Sequence, residues 1–370
     1  MSGRALGACA GVLVAVGVGV GTLPLHDGAG EARDTRASSP VLAVSPQARD
    51  DALHRARTRL GREDPRALTT APPDPTGIFA RDSVTCDFIP RIPGGTSAKF
   101  ECVLANGDVV RVKYGHESEI HAEVAATRLL TALGYATDHM YLVPRLRCYG
   151  CPANPFVTMQ LLDMIGGGPR RTGSYTDFEW VAVERKFEAA PIEDDQRKGW
   201  AWWELKDVAA PAEDLDALRL LAVFLAHWDN KADNQRLVCM DTDGRDSDPR
   251  CADPLLMIQD LGATFGPPKV NLSQWRTSPI WSDRATCTVS MRALPFGGST
   301  FTDARLTEAA RLQVGHELAS FTDADLKAWL SAARFPQFYA STDDGKDLAA
   351  WVAAYRLRVD HILSGGPCPQ

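Results

Sequence analysis

The sequence predicts an α+β fold, with a small β-rich N-terminal lobe and a mainly helical C-terminal lobe. In the first half, short β-prone runs such as Lys99–Leu104 and Val181–Phe187 alternate with period two. From about Arg305 onward the apolar residues instead recur at helical spacing. The 370 residues, 45% of them hydrophobic, can bury a sizeable core and leave room for a two-lobed domain of roughly 280 residues. The expected division is a signal peptide or membrane anchor over 1–29 and a polar linker over 30–80. The N-lobe follows over 81–190 and the C-lobe over 191–370.

The elements follow in order. Lys99–Leu104 and Asp108–Tyr114 flank Ala105-Asn106-Gly107-Asp108, and Asn-Gly between such runs signals a hairpin. In the second strand Val110 and Val112 share one face, while Arg111 and Lys113 share the other. A helix over Glu117–Leu133 comes next, with Glu119, Glu123, Ala126, Leu130 and Leu133 at helical spacing. Val181–Phe187 reads as a strand between the lobes, and Trp200, Trp202 and Trp203 as packing residues of the C-lobe, with sugar stacking the lesser alternative. Asp216–Ala226 is a strongly apolar helix that enters the core, and a polar loop, His227–Asn234, follows it directly. Gln235–Met240 and Leu255–Gln259 read as a hairpin whose tip, Asp241–Asp253, is rich in Asp, Arg and Gly. Leu306–Leu318, Asp323–Ala333 and Asp347–Leu363 close the chain as helices, with Thr322 as an N-cap.

Phosphoryl transfer needs a carboxylate to orient the attacking hydroxyl, an amide and a second carboxylate for the metal, and a cation near the γ-phosphate. The loop His227-Trp228-Asp229-Asn230-Lys231-Ala232-Asp233-Asn234 and the downstream Asp260-Leu261-Gly262 contain these groups. Here the chain resembles the protein-kinase superfamily, in its catalytic loop and in its Asp-Phe-Gly. Val110-Arg111-Val112-Lys113 is similar to that family's Val-Ala-Ile-Lys. The resemblance implies a two-lobed kinase-like fold that binds ATP with Mg²⁺ or Mn²⁺. Asp229 would be the base, Lys231 the γ-phosphate cation, Asn234 and Asp260 the metal ligands, and Lys113 the α/β-phosphate lysine. Glu123 or Glu119 would pair with Lys113, and Glu123 is preferred because Ala122, Ala125, Ala126, Leu129 and Leu130 set it beside the buried face. Val181–Phe187 sits where the family meets adenine, although an edge strand fits equally. Taken alone, Lys113 reads as a solvated strand lysine and the loop as a polar turn. His227 matches a packing residue of the family rather than a ligand.

The departures matter too. In place of a Gly-x-Gly-x-x-Gly loop stands Pro93-Gly94-Gly95-Thr96-Ser97-Ala98-Lys99-Phe100, whose two glycines, two hydroxyls and N–H groups can cradle phosphate oxygens or form a plain turn. No Ala-Pro-Glu follows Asp260, and Trp228 replaces the usual Arg. These features resemble the atypical branches: secreted Fam20-like, HipA-like and phosphoinositide-kinase-like. The acceptor bears a hydroxyl and is otherwise open. AMP transfer with the same parts, or a pseudokinase that binds without turnover, are the alternatives. A net charge of −7 gives no reason to expect a nucleic-acid partner.

Met1-Ser2-Gly3-Arg4 followed by the uncharged Ala5–Leu25 reads as an export signal or a membrane tether. Beyond it the polar stretch to residue 80 includes one short helix near Ala48–Leu60. Apart from Cys9 there are eight cysteines, an even number behind an export signal, which suggests disulfides. Proximity pairs Cys239 with Cys251 and Cys86 with Cys102. Cys148-Tyr149-Gly150-Cys151 is a tight disulfide, a redox pair or half a zinc site, and zinc is disfavoured because no second pair follows.

Overall fold

The structure, a computed structural model, describes residues 41–370 apart from 62–63, 242–250, 268–269, 293, 295–300, 339–345 and 370. The expected export segment over 1–29, with its 5–25 tether, lies outside the described residues, as does most of the hairpin tip between Cys239 and Cys251. Among the described residues no helix is long and apolar enough to cross a membrane.

Strand β1 (Leu42–Ala43) and helix α1 (Pro46–Arg55) come first. Five strands then close a barrel in the order β2-β3-β4-β6-β5: β2 (Ser83–Ile89), β3 (Lys99–Leu104), β4 (Val109–Lys113), β5 (His139–Tyr149) and β6 (Tyr175–Arg185). Helix α2 (Ser118–Ala132) follows β4, and α3 (Pro155–Met164) lies between β5 and β6. Closure comes from a parallel pairing of β2 with β5, and the other barrel pairs are antiparallel. The alternation read from the sequence is the barrel's inside and outside. Val84, Phe88, Phe100, Val110, Val112 and Val183 fill its interior, while the intervening polar residues face out.

Past the barrel, β7 (Ala190–Glu193), β8 (Gln235–Cys239) and β9 (Pro254–Ile258) join β1 in a four-stranded sheet, β1-β7-β8-β9. Helix α4 (Ala212–Leu225) runs between β7 and β8. It is apolar on nearly every side and accordingly buried from Leu215 to Leu225 but for Arg219. Helix α5 (Leu272–Thr277), the ribbon β10 (Thr288–Val289) with β11 (Ala304–Arg305), and helices α6 (Glu308–Ala319), α7 (Asp323–Ala332), α8 (Phe335–Phe338) and α9 (Leu348–Leu363) complete the chain. Thr322 caps α7 with Asp325 in a reciprocal capping box. The expected α+β architecture, β-rich first and mainly helical afterwards, is what forms.

Three expectations differ in detail. The stretch from 41 to 80, read as part of a tether, is packed instead: Leu42, Leu53 and Leu68 lie in the main core. Its polarity misled because Arg49, 0% exposed, is paired with buried Glu204 at 2.9 Å, and a paired charge can be buried where a lone one cannot. Its helix is α1, starting at Pro46 behind the N-cap Ser45. Val181–Phe187 is no edge, since β6 is bonded to β4 on one side and β5 on the other. Of the tryptophans, Trp200 and Trp202 are buried, with indole N–H groups donating to Met257 and Asn230 carbonyls, whereas Trp203 is exposed.

Four disulfides staple the described chain: Cys86–Cys102, Cys148–Cys151, Cys239–Cys251 and Cys287–Cys368. The first three match the sequence pairings, with the disulfide form of the Cys148–Cys151 alternatives; the fourth ties the C-terminus to the start of β10.

Candidate active site

The β3–β4 hairpin builds one wall. Its turn has three residues, with Leu104 and Asp108 bonded across it and Gly107 at φ 90°, a left-handed position that suits glycine. That register sets Lys99 directly opposite Lys113 and Glu101 opposite Arg111, so all four share the barrel's outer face. On the next strand Glu184 stands opposite Arg111.

Lys113 is 3% exposed, and its ammonium contacts both oxygens of Glu123, at 2.7 and 2.5 Å, and Asp260 Oδ1 at 3.1 Å. Glu184 lies 3.8 Å away. Burial alone would lower the Lys113 pKa; the carboxylates of Glu123, Asp260 and Glu184 outweigh it and raise it. Asp260 is held below the usual carboxylate range, chiefly by Lys113. Glu184 is also held low, because Lys186, Arg111 and Lys113 together overcome its burial.

Glu119, the other glutamate considered for Lys113, has a different partner. It accepts a 2.6 Å hydrogen bond from Ser97 Oγ. A Cβ on Gly262 would come within 2.5 Å of the Glu119 side chain, so the Asp260-Leu261-Gly262 turn packs closely on α2 and a larger residue there would have to displace Glu119. Glu119 thus links the Gly94-Gly95-Thr96-Ser97 turn to the turn that carries Asp260. Gly94 and Thr96 are exposed, and Gly95 has a left-handed φ of 76°.

The loop after α4 forms the other wall. Ala226 ends the helix in the left-handed region, φ 53°, and the chain turns into His227–Asn234. Asp229 Oδ1 accepts from Lys231 Nζ at 2.6 Å, and Asn234 Nδ2 donates to the Asp229 carbonyl at 2.7 Å. The loop is stitched to the segment around Asp260: Trp228 N–H donates to Ala263 O at 3.2 Å, and Gln259 N–H donates to Asn234 O at 3.2 Å. Asp260 itself is a non-glycine residue at φ 54°, a conformation that costs about 1–3 kcal/mol and persists only where neighbours impose it. His227 is 2% exposed, and burial lowers its pKa to about 4; it is neutral and packs, as the sequence reading expected.

Lys113, Glu123 and Asp260 therefore meet directly, Asp229, Lys231 and Asn234 meet in one loop, and main-chain bonds join the two groups. Two members of this neighbourhood were not singled out by sequence: Lys99 and Glu184. The signal that finds them is cross-strand register. Both share the face of Lys113, but only the β3–β4 register places Lys99 there and only the β4–β6 register places Glu184.

No protein-family model matches the chain, and no curated protein matches it. Among solved structures, the chain is similar to kinases. The Helicobacter pylori proinflammatory kinase CtkA aligns with 9% identity and a TM-score of 0.41, covering 75% of this chain and 94% of that one. The Golgi casein kinase with Mn/ADP bound aligns with 11% identity and a TM-score of 0.35, over 88% of this chain and 78% of that one. The kinase domain of maize SIRK1 bound to AMP-PNP aligns with 11% identity and a TM-score of 0.23, over 80% and 97%. Scores this low carry no functional conclusion, which has to come from this chain's own side chains.

Proposed function

We propose that this protein is an extracytoplasmic, ATP- and divalent-metal-dependent phosphotransferase acting on a hydroxyl acceptor. The observation that carries the reading is the buried Lys113–Glu123 pair touching Asp260, whose own turn is stitched to the Asp229–Asn234 loop. Lys113 is held charged and aimed by Glu123, as an α/β-phosphate ligand needs to be. The donor set fits a hard cation. Asp260 supplies an ionised carboxylate, its side chain 38% exposed. Asn234 uses its N–H₂ on the Asp229 carbonyl, which leaves its amide oxygen for a metal. Oxygen donors of this kind suit Mg²⁺ or Mn²⁺. The bound metal would neutralise phosphate charge. Asp229 would orient the acceptor hydroxyl and take its proton, and Lys231, 2.6 Å from that carboxylate, would counter charge at the γ-phosphate. Gly94, Gly95, Thr96 and Ser97 would offer N–H and hydroxyl groups to phosphate oxygens.

The decisive experiment is a thermal-shift titration of the purified protein. ATP with Mg²⁺ or Mn²⁺ should raise the melting temperature by mass action, and Asp260→Ala should remove most of the metal-dependent part. No shift at millimolar nucleotide with either metal would refute the reading. Incubation with candidate glycans, proteins and small alcohols then identifies the acceptor. The mass increment separates phosphate from AMP transfer, and binding without any increment would leave a pseudokinase.

The extracytoplasmic part of the reading is supported by the four disulfides, since such bonds persist in oxidising compartments. Non-reducing peptide mapping of protein isolated from its native compartment should recover all four. Free thiols at these eight positions would return the chain to a reducing compartment.

A further inference from the structure

Lys99 stands opposite Lys113 on the barrel's outer face and has a different charge environment. The other cations nearby are paired: Lys113 with Glu123 and Asp260, Arg111 with Glu184, Lys186 with Glu184 and Asp138, and Lys231 with Asp229. Glu101, two residues along the strand, is taken by Arg91 at 2.6 Å. Among the described residues, no carboxylate lies within ion-pair distance of Lys99. Its side chain is nevertheless half-buried, with its ammonium beneath the glycine turn: a Cβ on Gly95 would stand 3.0 Å from Lys99 Nζ. Burial first, and then the Lys113 charge, lower its pKa, against the more distant opposing charges of Asp260 and Glu184.

A half-buried ammonium short of counter-charge is costly. A lysine kept only for packing would snorkel to solvent or hold a carboxylate. This one instead sits between a turn rich in N–H groups and the strand residue opposite it, Lys113, where an anion would satisfy it. Lys113 does not balance that anion by itself, because the carboxylates of Glu123, Asp260 and Glu184 already share its charge.

We propose that Lys99 is a second phosphate-binding lysine, which together with the Gly94–Gly95 turn receives the phosphate chain of a nucleoside triphosphate. The proposal rests on the nucleotide-binding reading above and adds to it. It supplies what the missing Gly-x-Gly-x-x-Gly would otherwise provide: a side-chain cation takes over part of the phosphate contact that a longer glycine loop makes with backbone groups.

The test compares adenosine, ADP and ATP, each with Mg²⁺ or Mn²⁺, on the full chain by thermal shift and calorimetric titration. Lys99→Met should weaken ATP binding by about 10- to 100-fold, the weight of a charge-assisted hydrogen bond, and leave adenosine binding unchanged. Lys99→Arg should recover part of the loss. A Lys99→Met variant with wild-type ATP affinity overturns the proposal while the nucleotide reading stands; a wild type that binds none of the three removes both. Should the Met variant fail to fold, amine-reactive footprinting of the wild type decides. Lys99 labelling should fall several-fold with ATP or inorganic tripolyphosphate present, and labelling unaffected by either overturns the proposal.

Discussion

Glu123→Ala is expected to destabilise the protein by about 3 kcal/mol, measured by urea denaturation without ligand, because removing one partner of a buried pair leaves the other charge uncompensated. The glutamate is 3% exposed and makes both of the shortest contacts to Lys113. The loss falls at the low end of the range for such pairs because Asp260, at 3.1 Å, still compensates part of the Lys113 charge. That residual contact has a functional consequence. With Glu123 gone, Lys113 leans mainly on Asp260, with Glu184 farther off at 3.8 Å, and competes with the metal for the Asp260 carboxylate, so metal-nucleotide affinity should fall about tenfold, the effect of some 1.4 kcal/mol. Glu123→Gln keeps the shape and one acceptor and should fall between. A change in stability below about 1 kcal/mol for Glu123→Ala would mean that the pair is not formed in solution.

The parts of this site that were legible in the sequence are those set by local order. A polar loop behind an apolar helix, an Asn-Gly hairpin and a helix with glutamates near one face are short-range patterns. Alone they suggest only a polar turn and a solvated strand lysine; joined to the resemblance to the kinase catalytic loop and strand lysine, they pointed to Asp229, Lys231, Asn234 and Lys113, and the buried helix face favoured Glu123 over Glu119. Tertiary placement was not legible. Lys99 looked like any strand lysine, because its significance depends on a register fixed by a three-residue turn; a slip of one residue would turn it to the other face. Glu184 looked like one polar position of an alternating strand, and its burial beside three cations is a property of the closed barrel. The stretch from 41 to 80 read as a tether because a buried arginine with a distant glutamate partner has the same composition as a solvated one. Barrel closure itself depends on a parallel pairing between β2 and β5, a contact that no local signal announces.

The same distinction between local and distant determinants leads to Arg358. This residue lies in α9, far along the chain from the candidate active site, and is 0% exposed. Among the described residues no carboxylate is within ion-pair distance. Its guanidinium donates instead to four main-chain carbonyls: Val223 at 2.8 Å and Phe224 at 3.0 Å, both in the last turn of α4, and Trp275 and Ser278, each at 2.6 Å, around the end of α5. Carbonyls at a helix C-terminus lack intrahelical donors, and a cation there also complements the helix dipole. Burial lowers its pKa to about 9, which leaves it charged at neutral pH. Arg358 therefore fixes the end of the helix from which His227–Asn234 departs. Arg358→Met keeps the aliphatic stem and removes the five donors. Val223 and Phe224 retain other partners, Ala226 N–H and the Trp275 indole, so the main loss falls on Trp275 and Ser278. At about 1–3 kcal/mol for each buried carbonyl left without a donor, the variant should lose about 3–4 kcal/mol. Its nucleotide affinity should fall as well, because the α4 terminus that positions Asp229 is loosened. Denaturant titration reports the first effect and ligand titration the second. A Met variant as stable as the wild type would show that burying an unpaired guanidinium costs as much as its four hydrogen bonds return, and the loop would then be held by α4 and the segment around Asp260 alone.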